Sequence, residues 1–168
     1  QKIGGTTFSP NPLAPIFNEK RGVFVTLTEN GELRGCIGFP YPTYPLGAAL
    51  REAAVSAALQ DPRFPPVRAS ELPCIRVEVT ILTVPQLMKA EPGARPGAVE
   101  IGKHGLIVRG YGRSGLLLPQ VPGEYGWDRE TYLRHGCLKA GLPDDAWKTG
   151  AKIEIFEAQV FNESGEKE

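Results

Sequence analysis

Apolar and polar residues alternate most cleanly over residues 74–82, where Ile75, Val77, Val79 and Ile81 take one face and Arg76, Glu78 and Thr80 the other. A period of two predicts a half-solvated antiparallel strand, or one lining a cleft. Residues 22–28 are rich in β-branched and aromatic side chains and predict a second strand. Asn30-Gly31 follows it, a strong hairpin signal, and returns the chain into a strand over 33–38. Leu46, Ala49, Leu50, Ala53, Ala57 and Ala58 recur near a spacing of 3.6 and predict a helix from Leu46 to Leu59, closely packed because its apolar face is mostly alanine. It stops at Asp61-Pro62, since the residue before proline is pushed out of the α region. After a Pro/Gly-rich excursion over 85–97, short strands are expected at 99–101, 106–109 and 115–118, in a meander. Asp128 is placed to cap a helix running to about Ala140. A last strand over 152–161 carries a bulge near Phe156. Residues 1–20 read as an irregular lead-in and 162–168 as a frayed tail. Without a βαβ rhythm, the class is α+β with largely antiparallel sheets and flanking helices.

Composition narrows the function. Nineteen Lys and Arg balance nineteen Asp and Glu, so the net charge is zero and no global electrostatic case for nucleic acid exists. No apolar run approaches the roughly 20 residues that cross a bilayer. Three cysteines, an odd number with no CxxC pair, fit a reducing cytoplasmic compartment better than a disulfide framework, and no paired spacing suggests a metal site. The chain starts at Gln1 and its only methionine is Met88, so it is expected to be trimmed at the N-terminus.

The chemistry concentrates in Arg34-Gly35-Cys36-Ile37-Gly38. Strict alternation puts Arg34 and Cys36 on one face, roughly 6.6 Å apart, with Leu33 and Ile37 on the other. A guanidinium at that range favours a thiolate. The competing reading is a small buried hydrophobe beside a strand glycine. His104 and His135 are the available bases for a Cys–His pair, but nothing in the sequence brings either to Cys36. Glu71 and Glu78 are the carboxylates placed to line a cleft, and Asp61 with Arg63 most simply caps or pairs locally. Gly110-x-Gly112-x-x-Gly115 matches a dinucleotide pattern on paper, yet Leu116-Leu117-Leu118-Pro119 follows it and reads as a strand. The phosphate mechanism needs a helix N-terminus there, so the match is a hairpin turn.

Several ordered runs resemble those of the AMMECR domain family: Gly22-Val-Phe-Val-Thr-Leu, Leu33-Arg-Gly-Cys-Ile-Gly, Asp61-Pro-Arg-Phe, Glu71-Leu-Pro, Gly115-Leu-Leu-Leu-Pro-Gln-Val, Trp127-Asp and Cys137-Leu-Lys-Ala-Gly-Leu. The resemblance spans about residues 16–163. Microbial members are called AmmeMemoRadiSam system protein A. The resemblance implies an α+β chain of a larger and a smaller lobe with a cleft between them. It also implies association with a Memo-type protein and a radical S-adenosylmethionine enzyme, and it carries no settled activity. The resemblance implies a helix ahead of the irregular lead-in, and most of that helix is expected to be missing from this chain. The family's RGCIG run falls on Arg34 to Gly38 and its DPRF run on Asp61 to Phe64. Arg34 and Cys36 thereby stand as candidate catalytic residues, with Asp61, Arg63, Glu71, Glu78 and His104 as candidate binding residues. No metal, cofactor, nucleic acid or membrane is expected, and any small-molecule ligand is unspecified. Two functions follow: a binding or accessory component of that system, or an enzyme using Cys36 as a thiolate in the inter-lobe cleft.

Overall fold

Asn30 and Gly31 take positive φ, 52° and 85°, as a two-residue hairpin turn requires. They close β1 (Gly22–Glu29) on β2 (Glu32–Phe39) in the computed structural model, which describes residues 14–163. The expected lead-in therefore falls outside the described residues over 1–13, and the expected tail over 164–168. Residues 14–20 hold one 3-10 turn, Pro15–Asn18.

The described chain forms two compact units, one from 14–82 with 159–163 and one from 83–158. The first is a four-stranded antiparallel sheet ordered β2-β1-β3-β8, with β3 at Ile75–Leu82 and β8 at Ala158–Asn162. Helix α1 (Leu46–Leu59) has the predicted bounds and packs on one face. Its buried Leu46, Ala49, Ala53 and Ala57 meet Val23, Val25 and Leu27, and Val77, Val79 and Ile81 join the same core. Short alanine side chains bring helix and sheet close. A Cβ on Gly35 would stand 2.2 Å from the Ala57 carbonyl oxygen, so only glycine fits there.

The second unit is a sheet ordered β4-β7-β5-β6: β4 (Gln86–Leu87), β5 (Gly105–Gly110), β6 (Arg113–Leu117) and β7 (Lys152–Phe156). Helices α2 (Val121–Tyr125), α3 (Arg129–Lys139) and α4 (Ala146–Thr149) belong to the same unit. Asp128 caps α3 by accepting from the Thr131 amide at 2.8 Å. Leu106, Val108, Tyr132, Leu133, Cys137, Trp147 and Ile153 form the core. The Arg95 guanidinium ties its far side together by donating to the carbonyls of Trp147 and Ala151.

Three expectations need correction. Residues 99–101 are not a strand: Val99 is buried as the exit of a 3-10 turn, and Ile101 opens a further turn. The meander accordingly reduces to the β5–β6 hairpin, with β7 on the other side of β5. The single strand over 152–161 is two, because the chain breaks at Glu157 and passes from one sheet to the other. The His135 ring, carried by α3, stacks on Trp127 with ring centres 3.8 Å apart. Among the described residues no helix is long and apolar enough to cross a membrane, and the three cysteines are free.

Candidate functional site around Cys36

Strand β2 is an edge of the first sheet, and an edge leaves main-chain groups without a neighbouring strand. At Cys36 those groups are covered by side chains. The Cys36 amide donates to Asp61 Oδ2 at 2.9 Å, and its carbonyl accepts from Arg63 Nη2 at 3.2 Å. Asp61 and Arg63 sit in the turn after α1 and are paired at 2.7 Å, with Asp61 Oδ1 also accepting from the Arg63 amide at 3.1 Å. The pair thus replaces one residue of a missing strand. The Asp61 side chain is 2% exposed and that of Arg63 53%, so the carboxylate is enclosed while the guanidinium reaches solvent. The Arg63 side chain first, and then the Cys36 amide, hold the Asp61 carboxyl well below the ordinary carboxylate range. The same pairing pushes Arg63 up.

Arg34 stands differently from the expectation. The β1–β2 register shifts between Leu27, opposite Gly35, and Thr28, opposite Leu33, so Arg34 is the extra residue of a β-bulge. Past the bulge, Cys36 lies opposite Thr26 and Ile37 opposite Val25 on the α1 face. Leu33, paired with Thr28, lies on the other side of the sheet from Ile37, so the expected two-and-two alternation does not hold. The Arg34 guanidinium is committed to Glu71 Oε1 at 2.8 Å and to the Pro65 carbonyl at 2.9 Å. Glu71 Oε2 also accepts from the Arg68 amide at 2.7 Å. Arg34 first, and then that amide, draw the Glu71 carboxyl below its ordinary range. One ion pair, Arg34–Glu71, and the two Cys36 backbone hydrogen bonds of Asp61 and Arg63 therefore lace the 61–71 loop to the edge strand.

The sheet face away from α1 carries the polar row. Cys36 and Glu78 both pair with Thr26, one from each side, and the Cys36 sulfur lies 3.3 Å from Thr26 Oγ1. All three are partly exposed. Beside them Thr28, Arg76, Glu78 and Asn162 line an open concavity of about 560 Å3. Cys36, Asp61 and Arg63 thus form one contact set and Arg34 with Glu71 a second, both along β2, while Glu78 lies across Thr26 from Cys36. His104 belongs to the second unit, where its Nδ1 accepts from the Glu100 amide at 3.1 Å and its carbonyl from the Tyr132 hydroxyl. Among the described residues no three of His, Cys, Asp and Glu gather as metal ligands.

The sequence reading missed Thr26 and the place of Arg63. Counting pairs outward from the Asn30-Gly31 turn would set Thr26 opposite Gly35 and turn Cys36 toward α1; only the bulge brings Cys36 to the outer face. The arrangement can present a thiol, a hydroxyl and a carboxylate in a row on a braced sheet.

A sequence profile of the AMMECR1 family matches residues 3–161. A protein of Methanosarcina barkeri is 57% identical over 151 residues, covering 90% of this chain and 75% of its own length. One of Methanocaldococcus jannaschii is 57% identical over 152 residues, covering 88% and 76%. The crystal structure of an uncharacterized protein from Pyrococcus horikoshii superposes with a TM-score of 0.80 at 45% identity, covering 98% of this chain and 86% of that one.

Proposed function

The chain belongs to the AMMECR1 family, and on that premise we propose that it is a non-catalytic binding or accessory component, with its working surface on the outer sheet face around Cys36. One observation carries the reading. The charged groups nearest Cys36 are occupied in bracing it: Asp61 and Arg63 hold its backbone, while Arg34 is held by Glu71 and the Pro65 carbonyl. A nucleophilic thiol needs a base oriented on its sulfur, and the group hydrogen-bonded to this sulfur is the Thr26 hydroxyl. A rigid edge strand presenting side chains in fixed register suits recognition. The family resemblance supplies the partners, a Memo-type protein and a radical S-adenosylmethionine enzyme. The three free cysteines support a cytoplasmic setting.

Co-purification with both partners from one organism tests this. A complex that survives Cys36→Ser and is lost in Glu78→Lys is expected; no complex with either partner rejects the reading.

A second reading, an enzyme using Cys36 as a thiolate, is favoured by one contact: the Arg63 guanidinium at the Cys36 carbonyl brings a positive charge to the thiol's own residue. Alkylation at neutral pH separates the two. Under the binding reading Cys36, partly exposed, reacts no faster than exposed Cys74, while Cys137 is slowest because burial pushes its thiol up. Rapid modification confined to Cys36, and slowed in Arg63→Ala, would instead favour the enzyme.

A further inference from the structure

Strand β3 carries Arg76 and Glu78 two positions apart on one face, opposite Thr28 and Thr26 of β1. It is the outer face, because Ile75 and Val77 alternate with them and belong to the core under α1. Side chains so spaced start roughly 6.6 Å apart, within reach of an ion pair. Arg76 and Glu78 nevertheless do not pair. Arg76 Nη1 donates to the Ile75 carbonyl at 3.3 Å, and its guanidinium has no ion pair among the described residues. The Glu78 carboxylate is partly buried and has neither an ionic nor a hydrogen-bonding partner among them. A carboxylate so placed keeps a desolvation cost until a donor reaches it.

Both side chains line the open concavity of about 560 Å3 beside Cys36, together with Thr28, Asn162 and Glu163. Small-ligand pockets span roughly 300–1,000 Å3, so the space takes a small molecule. Its charges are one guanidinium and two carboxylates, those of Arg76, Glu78 and Glu163. The two carboxylates repel a phosphate ester, and the guanidinium repels a bare cation. A zwitterion whose ammonium and carboxylate share one carbon meets neither objection.

We propose that this concavity binds a free α-amino acid with a basic side chain. Its α-carboxylate accepts from Arg76, its α-ammonium donates to Glu78, and its side-chain cation turns to Glu163. Charge-assisted hydrogen bonds from two positions of one strand hold both charges of the α-carbon in fixed register. The third charge sets the preference. A ligand of net charge +1 balances a lining with one carboxylate in excess, whereas a neutral amino acid leaves Glu163 unmatched. This inference rests on the outer sheet face being the working surface, as proposed above, and gives that face a small-molecule ligand.

The test is titration of the full chain with L-lysine and L-arginine, read by calorimetry and by amide chemical shifts. Saturable binding is expected, with shifts at Thr28, Arg76 and Glu78. Arg76→Ala and Glu78→Gln should each weaken it by about tenfold or more, the scale of one lost charge-assisted hydrogen bond. Both sites lie on the open face, so the melting temperature should stay near that of the parent. Cadaverine, which lacks the carboxylate, and L-leucine, which lacks the second cation, should bind more weakly than L-lysine. Any of four results overturns the proposal: no binding of either basic amino acid, binding unchanged in Arg76→Ala, cadaverine binding as tightly as L-lysine, or L-leucine doing so. Co-purification keeps the two readings apart. A partner complex without L-lysine binding removes this ligand alone, and L-lysine binding without any partner complex removes the accessory reading alone.

Discussion

Asp61 shows how one side chain can end a sheet. It accepts from the Cys36 amide and pairs with Arg63, and Arg63 in turn reaches the Cys36 carbonyl. Its carboxyl is held below the ordinary range, so the folded state releases that proton more readily than the unfolded chain does. The sign follows. Its contribution is complete above the unfolded carboxylate value of about 3.9 and fades as pH falls below it toward the depressed folded value. Glu71, drawn down chiefly by Arg34, acts in the same direction. Urea unfolding across a pH series should therefore show Asp61→Asn less stable than the parent at pH 7, with the gap narrowing below about pH 4. A gap independent of pH would mean that shape, not charge, is what Asp61 supplies. Arg63→Ala should be more damaging than Asp61→Asn at neutral pH, because it leaves an enclosed carboxylate without its cation.

Elements with strong local signals were legible. The Asn30-Gly31 turn, the alanine-faced helix α1 and the alternating β3 all have local causes, and the structure has them where the pattern puts them. Signals that depend on partners were not. The bulge falls at Arg34, the residue that the 61–71 loop holds from the side, and no spacing in residues 33–38 announces it. The division of 152–161 at Glu157 is likewise a matter of which sheet each half joins. Of the candidate site, the residue types were legible and their register was not. Gly35 is the test at this scale, since its missing side chain is what lets α1 approach. Gly35→Ala would push a methyl against the Ala57 backbone, where nothing flexible can yield, and should cost at least about 1–3 kcal/mol. Gly31→Ala meets no atom within 4 Å and bears only the strain of its positive φ, about 1 kcal/mol. Equilibrium urea melts compare the two. Equal losses would remove the close helix–strand approach as the reason for glycine in Arg34-Gly35-Cys36.

The molecule is one unit interrupted by another. The first sheet takes β1, β2 and β3 before residue 83 and receives β8 only after the whole second unit has been made. No local pattern predicts such a return, because β8 is defined by its place beside β3 and not by its own alternation. The second core, by contrast, is drawn wholly from residues within 83–158. Truncation after Glu157 separates these dependencies. It removes β8, opens the edge of β3 and takes Asn162 from the concavity beside Glu78. Hydrogen exchange should then show the β3 amides losing protection, and the truncated chain should self-associate through the bared edge. Both tryptophans, Trp127 and Trp147, lie in the second unit, so their emission follows that core alone and should remain native. Unchanged exchange on β3 in a chain that stays monomeric would show that β8 adds nothing to the first unit. Loss of tryptophan emission together with β3 protection would show that the second core depends on residues outside its own segment.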